Sequence, residues 1–181
     1  MPRSFRVTGL VWAFLIALAM GLSAQETTIV LIRHAERQSI FDDDSPLSGM
    51  GQRHAELLVP LLVERKPEFL FASDRKRTQQ TLAPTAAKLG LTIQLRAKSD
   101  SLALAAELLR DHRHRTAVIC WHHELMKPLV RALGVTGAVP YWPLDTYDWL
   151  WIVHIPDHGE PSLETRKQTL APAPAGSAER R

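Results

Sequence analysis

Cysteine is almost missing from this 181-residue chain, which has only Cys120. No intramolecular disulfide can form. Cys120 lies in the apolar run "TAVICW", where a small core residue is expected rather than a nucleophile. A large charge excess is missing too. The formal charge is +3, and two of the cations, Arg3 and Arg6, stand at the extreme N-terminus. Without that end the charge falls to +1, too little for a surface that holds a polyanion, so nucleic acid is not an expected partner. Internal repeats are absent.

Charge is absent altogether from Val7 to Ala24. The run follows Arg3 and Arg6 and ends in the small residues Gly21, Ser23 and Ala24, the pattern of a signal peptide over residues 1–24. No cysteine stands at the junction, so lipidation there is excluded. The run is borderline for a membrane span, which needs about 20 residues. An uncleaved anchor would hold the first strand, only a few residues later, against the lipid surface. The expectation is therefore export to the periplasm or beyond, with no stable membrane association after cleavage.

From residue 25 to about 165 strand and helix patterns alternate. "TTIVLIR" is a continuous apolar run, as in a parallel strand buried on both faces. "LSGMGQRHAELLVPLLVER" has helical spacing, with Ser48 as N-cap and Pro60 expected to kink or divide it. "EFLFAS", "LTIQL" and "TAVICW" read as further strands. The helices between and after them are "DRKRTQQTLAPTAAKLG" with Gly90 past its end, "DSLALAAELLRDH" capped by Asp100 or Ser101, and "HHELMKPLVRALG". "YDWLWIVHI" is a fifth strand, and "SLETRKQTL" pairs with it as an edge strand. Residues 166–181, rich in Pro, Ala and Gly, are expected to be a disordered tail. Repeated β–α units predict a three-layer α/β/α sandwich with a mostly parallel sheet. In such sheets ligands bind beyond the carboxyl ends of the strands.

Those ends carry the chemistry. Arg33, His34 and Glu36 follow the first strand; Ser73, Asp74, Arg75, Lys76 and Arg77 the second; His122, His123 and Glu124 the fourth. Arginine presents a planar fork of donors that matches phosphate oxygens. A neutral imidazole can attack phosphorus and carry it as phosphohistidine, while cations stabilise the equatorial oxygens. Cations at a helix start oppose its dipole, which hints at an anion near Arg75, Lys76 and Arg77. A zinc site from His34, Glu36, His122 and His123 is the competing reading; Arg33 and Arg77 beside it would repel the metal. His112 to His114 read as a solvated helix end. Asp42, Asp43 and Asp44, with Tyr141, Trp142 and Tyr147, lie in loops that could shape specificity or simply cover the core.

"LIRHAE", "PLSGMGQRHAELL", "FASDRKRTQQTLAPTAAKLGL" and "AVICWHHELMKPLVRALG", in that order and spacing, resemble the histidine phosphatase superfamily, the phosphoglycerate-mutase-like group. The resemblance runs from Thr28 to Ile155. It implies that His34 is the nucleophile, Arg33 and Arg77 the phosphate arginines and His123 the second catalytic histidine. A shift of one residue would give that last role to His122, otherwise a phosphate neighbour. The proton donor is least clear. Glu124 directly follows the second histidine, as an Asp does in the acid branch. Asp100 and Glu107 lie where the mutase-like branch keeps a Glu whose motif is absent here. Glu36 reads as a structural carboxylate that orients the arginines. The implied activity is metal-independent, cofactor-free hydrolysis of a small-molecule phosphate monoester. The alternatives are a phosphomutase, disfavoured by the short chain, and a non-catalytic phosphate-binding relative.

Overall fold

A computed structural model describes residues 26–168. The expected signal peptide, residues 1–24, and most of the expected tail, from residue 169 on, lie outside the described residues. Six strands form one sheet in the order β3-β2-β4-β1-β5-β6. They are β1 (Glu26–Arg33), β2 (Phe69–Ser73), β3 (Ile93–Arg96), β4 (Thr116–Trp121), β5 (Trp149–Pro156) and β6 (Ser162–Lys167). The β3, β2, β4 and β1 strands run parallel, while β5 and β6 are antiparallel additions at one side. The helices are α1 (Gly49–Val63), α2 (Lys76–Leu89), α3 (Ser101–Asp111) and α4 (His123–Ala132). Among the described residues, no helix is long and apolar enough to cross a membrane.

Apolar side chains cover both faces of the central strands, so β1 from Ile29 to Ile32 and β4 from Ala117 to Trp121 are continuously apolar rather than alternating. Ile29, Leu31, Ile119 and Trp121 face one core, shared with α3, α4 and the ring cluster of Trp142 and Trp151. Val30, Ile32, Val118 and Cys120 face the other, shared with α1 and α2. Cys120 is fully buried, and burial pushes its thiol pKa far up. It is a core residue with no thiolate to offer.

Local chemistry sets the helix ends. Ser48 caps α1 by accepting from the Gly51 N–H at 3.1 Å. Gly90 ends α2 in the left-handed region, with φ of 67°. Asp100 occupies the cap position of α3, but its side chain makes no capping bond. Pro60 does not divide α1, which runs unbroken to Val63. The proline lies in the last turn, where its missing N–H breaks one bond and its restriction on the preceding residue has little helix left to disturb. The domain also passes the expected boundary at residue 165. β6 continues to Lys167, and Gln168 is buried.

Strand register decides what meets at the carboxyl rim. Arg33 pairs with Trp121, and the His34 N–H donates to the Trp121 carbonyl at 3.1 Å. The next residue after Trp121 is His122. Ala72 pairs with Cys120, so Ser73 and the start of α2 come to the same edge. Three segments far apart in sequence therefore converge because β2, β4 and β1 are adjacent and parallel.

Candidate active site

The convergence forms a cleft of about 100 Å³ lined by Arg33, His34, Arg37, Asp43, Arg77, Lys98, His122, His123 and Glu124. His34, Arg33, Arg77 and His122 make its floor, each 3% exposed or less.

The His34 Nδ1 lies 2.8 Å from its neighbour's carbonyl, Ala35 O. A carbonyl only accepts, so Nδ1 carries the proton and Nε2 keeps its lone pair. Burial, joined by the charges of Arg33, Arg77 and Arg37, pushes the His34 pKa down to about 3, against the opposing effect of the Ala35 carbonyl. The ring is thus neutral, with one defined basic nitrogen. The Ala35 N–H in turn donates to Thr81 Oγ1 at 2.9 Å, which ties the strand tip to α2.

His122 is polarised by the opposite logic. Arg77 Nη2 lies 3.2 Å from His122 Nδ1 and only donates, so Nδ1 is the acceptor. Nε2 then carries the proton and donates to Ser73 Oγ at 2.8 Å, which is linked to Thr78 Oγ1 at 2.8 Å. Burial first, then Arg77, lowers the His122 pKa to about 2. Its ring centroid is 5.6 Å from that of His34. His123 begins α4 and sits nearer the mouth, where Nδ1 pairs with Glu124 Oε2 at 3.0 Å. Of the two histidines, His122 is the one built into the floor.

Both floor arginines hold loops. Arg33 Nη1 donates to the carbonyls of Pro143, Leu144 and Thr146 at 3.3, 2.5 and 3.1 Å. Its guanidinium lies 4.0 Å over the Tyr147 ring. Arg77 Nη1 donates to the Asp43 carbonyl at 2.5 Å. These carbonyl contacts engage only Nη1 of each cation, and the buried Nε of each has no partner among the described residues, so both stay open to a stronger acceptor, a phosphoryl oxygen.

Glu124 is held between Lys98 Nζ at 2.9 Å and His123. Burial works to raise its pKa, but Lys98, its own backbone N–H and His123 outweigh that, and the net shift is downward. The direction is opposite to what a proton donor needs. Asp100 and Glu107 do not line the cleft; Glu107 pairs with Arg96 at 2.5 Å.

Glu36 is structural, but its partner is not an arginine. Both its oxygens lie 3.1–3.2 Å from His54 Nδ1 on α1. Gln168 Nε2 donates to the Trp149 carbonyl, which turns Oε1 toward His54 Nε2 at 2.8 Å. Both ring nitrogens of His54 therefore donate, and the ring is an imidazolium. Burial opposes the charge, yet Glu36 and Gln168 raise the His54 pKa overall. With Glu36 turned away, the four-ligand zinc set does not assemble. Among the described residues no group of three His, Cys, Asp or Glu is placed to hold a metal.

The anion near the start of α2 is the chain's own acidic loop. Asp44 Oδ1 accepts from the Lys76 N–H at 2.9 Å, and Asp43 pairs with Arg75 at 3.1 Å. Trp142 belongs to the core, Tyr141 is exposed and Tyr147 reaches the site. His112 packs on Phe69, with ring centroids 4.2 Å apart. Sequence reasoning missed Arg37 and Lys98 as lining residues, because neither stands directly at a strand tip. It also missed the work of Gln80, which accepts from the Leu47 N–H at 2.8 Å.

Residues 29–102 match the family model of the histidine phosphatase superfamily, branch 1. A mycobacterial glucosyl-3-phosphoglycerate phosphatase, solved with VO3, superposes with a TM-score of 0.63 at 16% identity, covering 78% of this chain and 99% of its own. The protein histidine phosphatase SixA, solved with tungstate, gives 0.60 at 21% identity, with 77% and 96% covered. The fold is that of these phosphatases: a mixed α/β sheet with helices on both faces.

Proposed function

We propose that this chain belongs to the histidine phosphatase superfamily and hydrolyses a small-molecule phosphate monoester through a phosphohistidine on His34. The observation that carries the reading is the floor: a neutral His34 with its basic Nε2 fixed, between Arg33 and Arg77 and facing His122. His34 Nε2 forms a bond to phosphorus as the ester P–O bond breaks. Arg33 and Arg77 exchange loop carbonyls for phosphoryl oxygens, and His122 Nε2–H can turn from Ser73 to one of them. Water then attacks phosphorus and passes a proton to the carboxylate left by the donor, the P–N bond breaks and phosphate leaves. Glu124 lines the cleft beside His123 and is our candidate donor, which requires the Lys98 contact to loosen. The step needs no metal or cofactor. The uncharged run from Val7 to Ala24 behind Arg3 and Arg6, read as a signal peptide, supports action outside the cytoplasm on an extracytoplasmic ester.

A non-catalytic phosphate-binding protein is the second reading, favoured by the lowered pKa of Glu124. Turnover of an aryl phosphate in EDTA separates the two. Wild-type protein should turn over, and His34→Ala should lose at least about 10³-fold in kcat. Rapid quenching should trap acid-labile phosphate on His34. Binding of phosphate without turnover would remove the enzyme reading, and trapping on another residue would remove the mechanism.

A further inference from the structure

Four cations line the cleft, and the floor uses only two of them. A phosphate monoester dianion is balanced by Arg33 and Arg77. Lys98 is paired with Glu124, at 2.9 Å. Arg37 is left over. It is half-buried, lines the cleft and makes no side-chain hydrogen bond or ion pair among the described residues. The other carboxylate in the lining, Asp43, is turned to Arg75 at 3.1 Å. A half-buried guanidinium has given up water without gaining a carboxylate, an arrangement that favours an incoming anion. Its field already reaches Arg33, His34, Arg77 and His123, each of whose pKa values it helps to lower.

Size places that anion outside the floor. Pockets for whole organic ligands run to about 300–1,000 Å³. The cleft's 100 Å³ is on the scale of a head group. An adjoining groove of about 320 Å³ is lined by Asp74, Arg75, Ala97, Lys98, Ser99 and Leu125. Lys98 lines both, so it marks the way out of the cleft. The rest of a bound ester passes Lys98, with Arg37 beside the same cleft.

We infer that Arg37 and Lys98 form a second anion-binding position at the mouth, and that the substrate carries another anionic group close to the scissile phosphate. This rests on the phosphate pocket proposed above. A carboxylate and a second phosphate share the required chemistry. The neutral ester of the same size lacks it.

Non-hydrolysable phosphonates test the inference by binding alone. Ethylphosphonate, phosphonoacetate and methylenediphosphonate are titrated calorimetrically into the full protein at fixed ionic strength, each in competition with inorganic phosphate. At least one of the two doubly anionic probes should bind about tenfold or more tighter than ethylphosphonate. Preference for phosphonoacetate identifies a carboxylate, and preference for methylenediphosphonate a phosphate. Arg37→Gln and Lys98→Gln should weaken the preferred probe at least about fivefold more than ethylphosphonate, and Arg37→Lys should restore part of the preference. Equal wild-type affinities would overturn the inference. So would an Arg37→Gln variant that weakens all three probes alike, since Arg37 would then grip only the phosphoryl group. Tight, discriminating binding without aryl phosphate turnover would sink the hydrolase reading and leave the second position standing. If no phosphonate competes with phosphate, both fall.

Discussion

On the floor of the cleft, Arg33, His34, Arg77 and His122 are nearly fully buried, and both imidazoles have their protons assigned by single-role partners. At the mouth, Lys98 and Glu124 keep 29% and 43% of their side-chain surface and hold chiefly each other. On the floor, burial and the assigned imidazole protons are set before any ligand arrives, and only the hydrogen-bond acceptors change; at the mouth the charges themselves are half-exposed and paired with each other. Preorganised groups contribute most where charge develops, and exchangeable surface pairs contribute little by themselves. The difference suggests a division of labour, with phosphoryl transfer below and, above, recognition together with the candidate proton donor Glu124.

The sharpest way to break that division is the adjacent pair of histidines. His122→Gln should lower kcat/KM about 10²–10³-fold, and His123→Gln less than about tenfold, in steady-state assays with one aryl phosphate. The reverse order would move the catalytic imidazole to the mouth.

The next effect lies beneath the floor. A Cβ at Gly51 would come within 2.1 Å of the Glu36 carbonyl oxygen. That same carbonyl accepts from the Ser48 N–H at 2.9 Å, so the first turn of α1 is pressed against the segment after His34. Gly51→Ala should cost about 3 kcal/mol or more in chemical denaturation, and should lower activity as the floor shifts. A neutral outcome would mean that the floor tolerates movement as the mouth does.

The smallest effect is in pH dependence. His34 and His122 have folded pKa values near 3 and 2, below the unfolded value of 6.5. The unfolded chain then binds more protons below 6.5. Each residue should lower stability by up to about 1.4 kcal/mol per pH unit as pH falls, levelling only near its folded pKa. His54 has the opposite sign. Its raised pKa stabilises below 6.5, and the gain is lost as pH rises through its folded value. Denaturation at about pH 5, 7 and 9 should therefore show a shallower acid-side loss in His122→Gln, and a penalty in His54→Gln that shrinks toward high pH. Parallel curves for both variants and the wild type would remove the charge assignments.

Much of this was readable beforehand. Continuous apolar runs announced β1 and β4, the Ser48 cap and Gly90 marked helix ends, and residues after strands pointed to Arg33, His34 and Arg77. Local chemistry carries such signals because caps, periodicity and strand burial involve near neighbours. The ranking of His122 and His123 was not readable. It depends on which of two adjacent residues turns toward Ser73 and Arg77, and on the register of β4 against β1. Glu36 was misassigned to the arginines because its partner, His54, lies on α1, and that pairing is completed by Gln168 at the far end of the chain. Arg37 and Lys98 stand four and two residues past the strand ends at Arg33 and Arg96, where sequence shows only solvated cations. By itself the sequence determined the α/β alternation and the residue types delivered to one rim, since both follow from apolar patterning and strand length. Only the tertiary structure decided which nitrogen of each imidazole is bare, which cations are engaged and which is spare, because those depend on contacts between segments that no local pattern records.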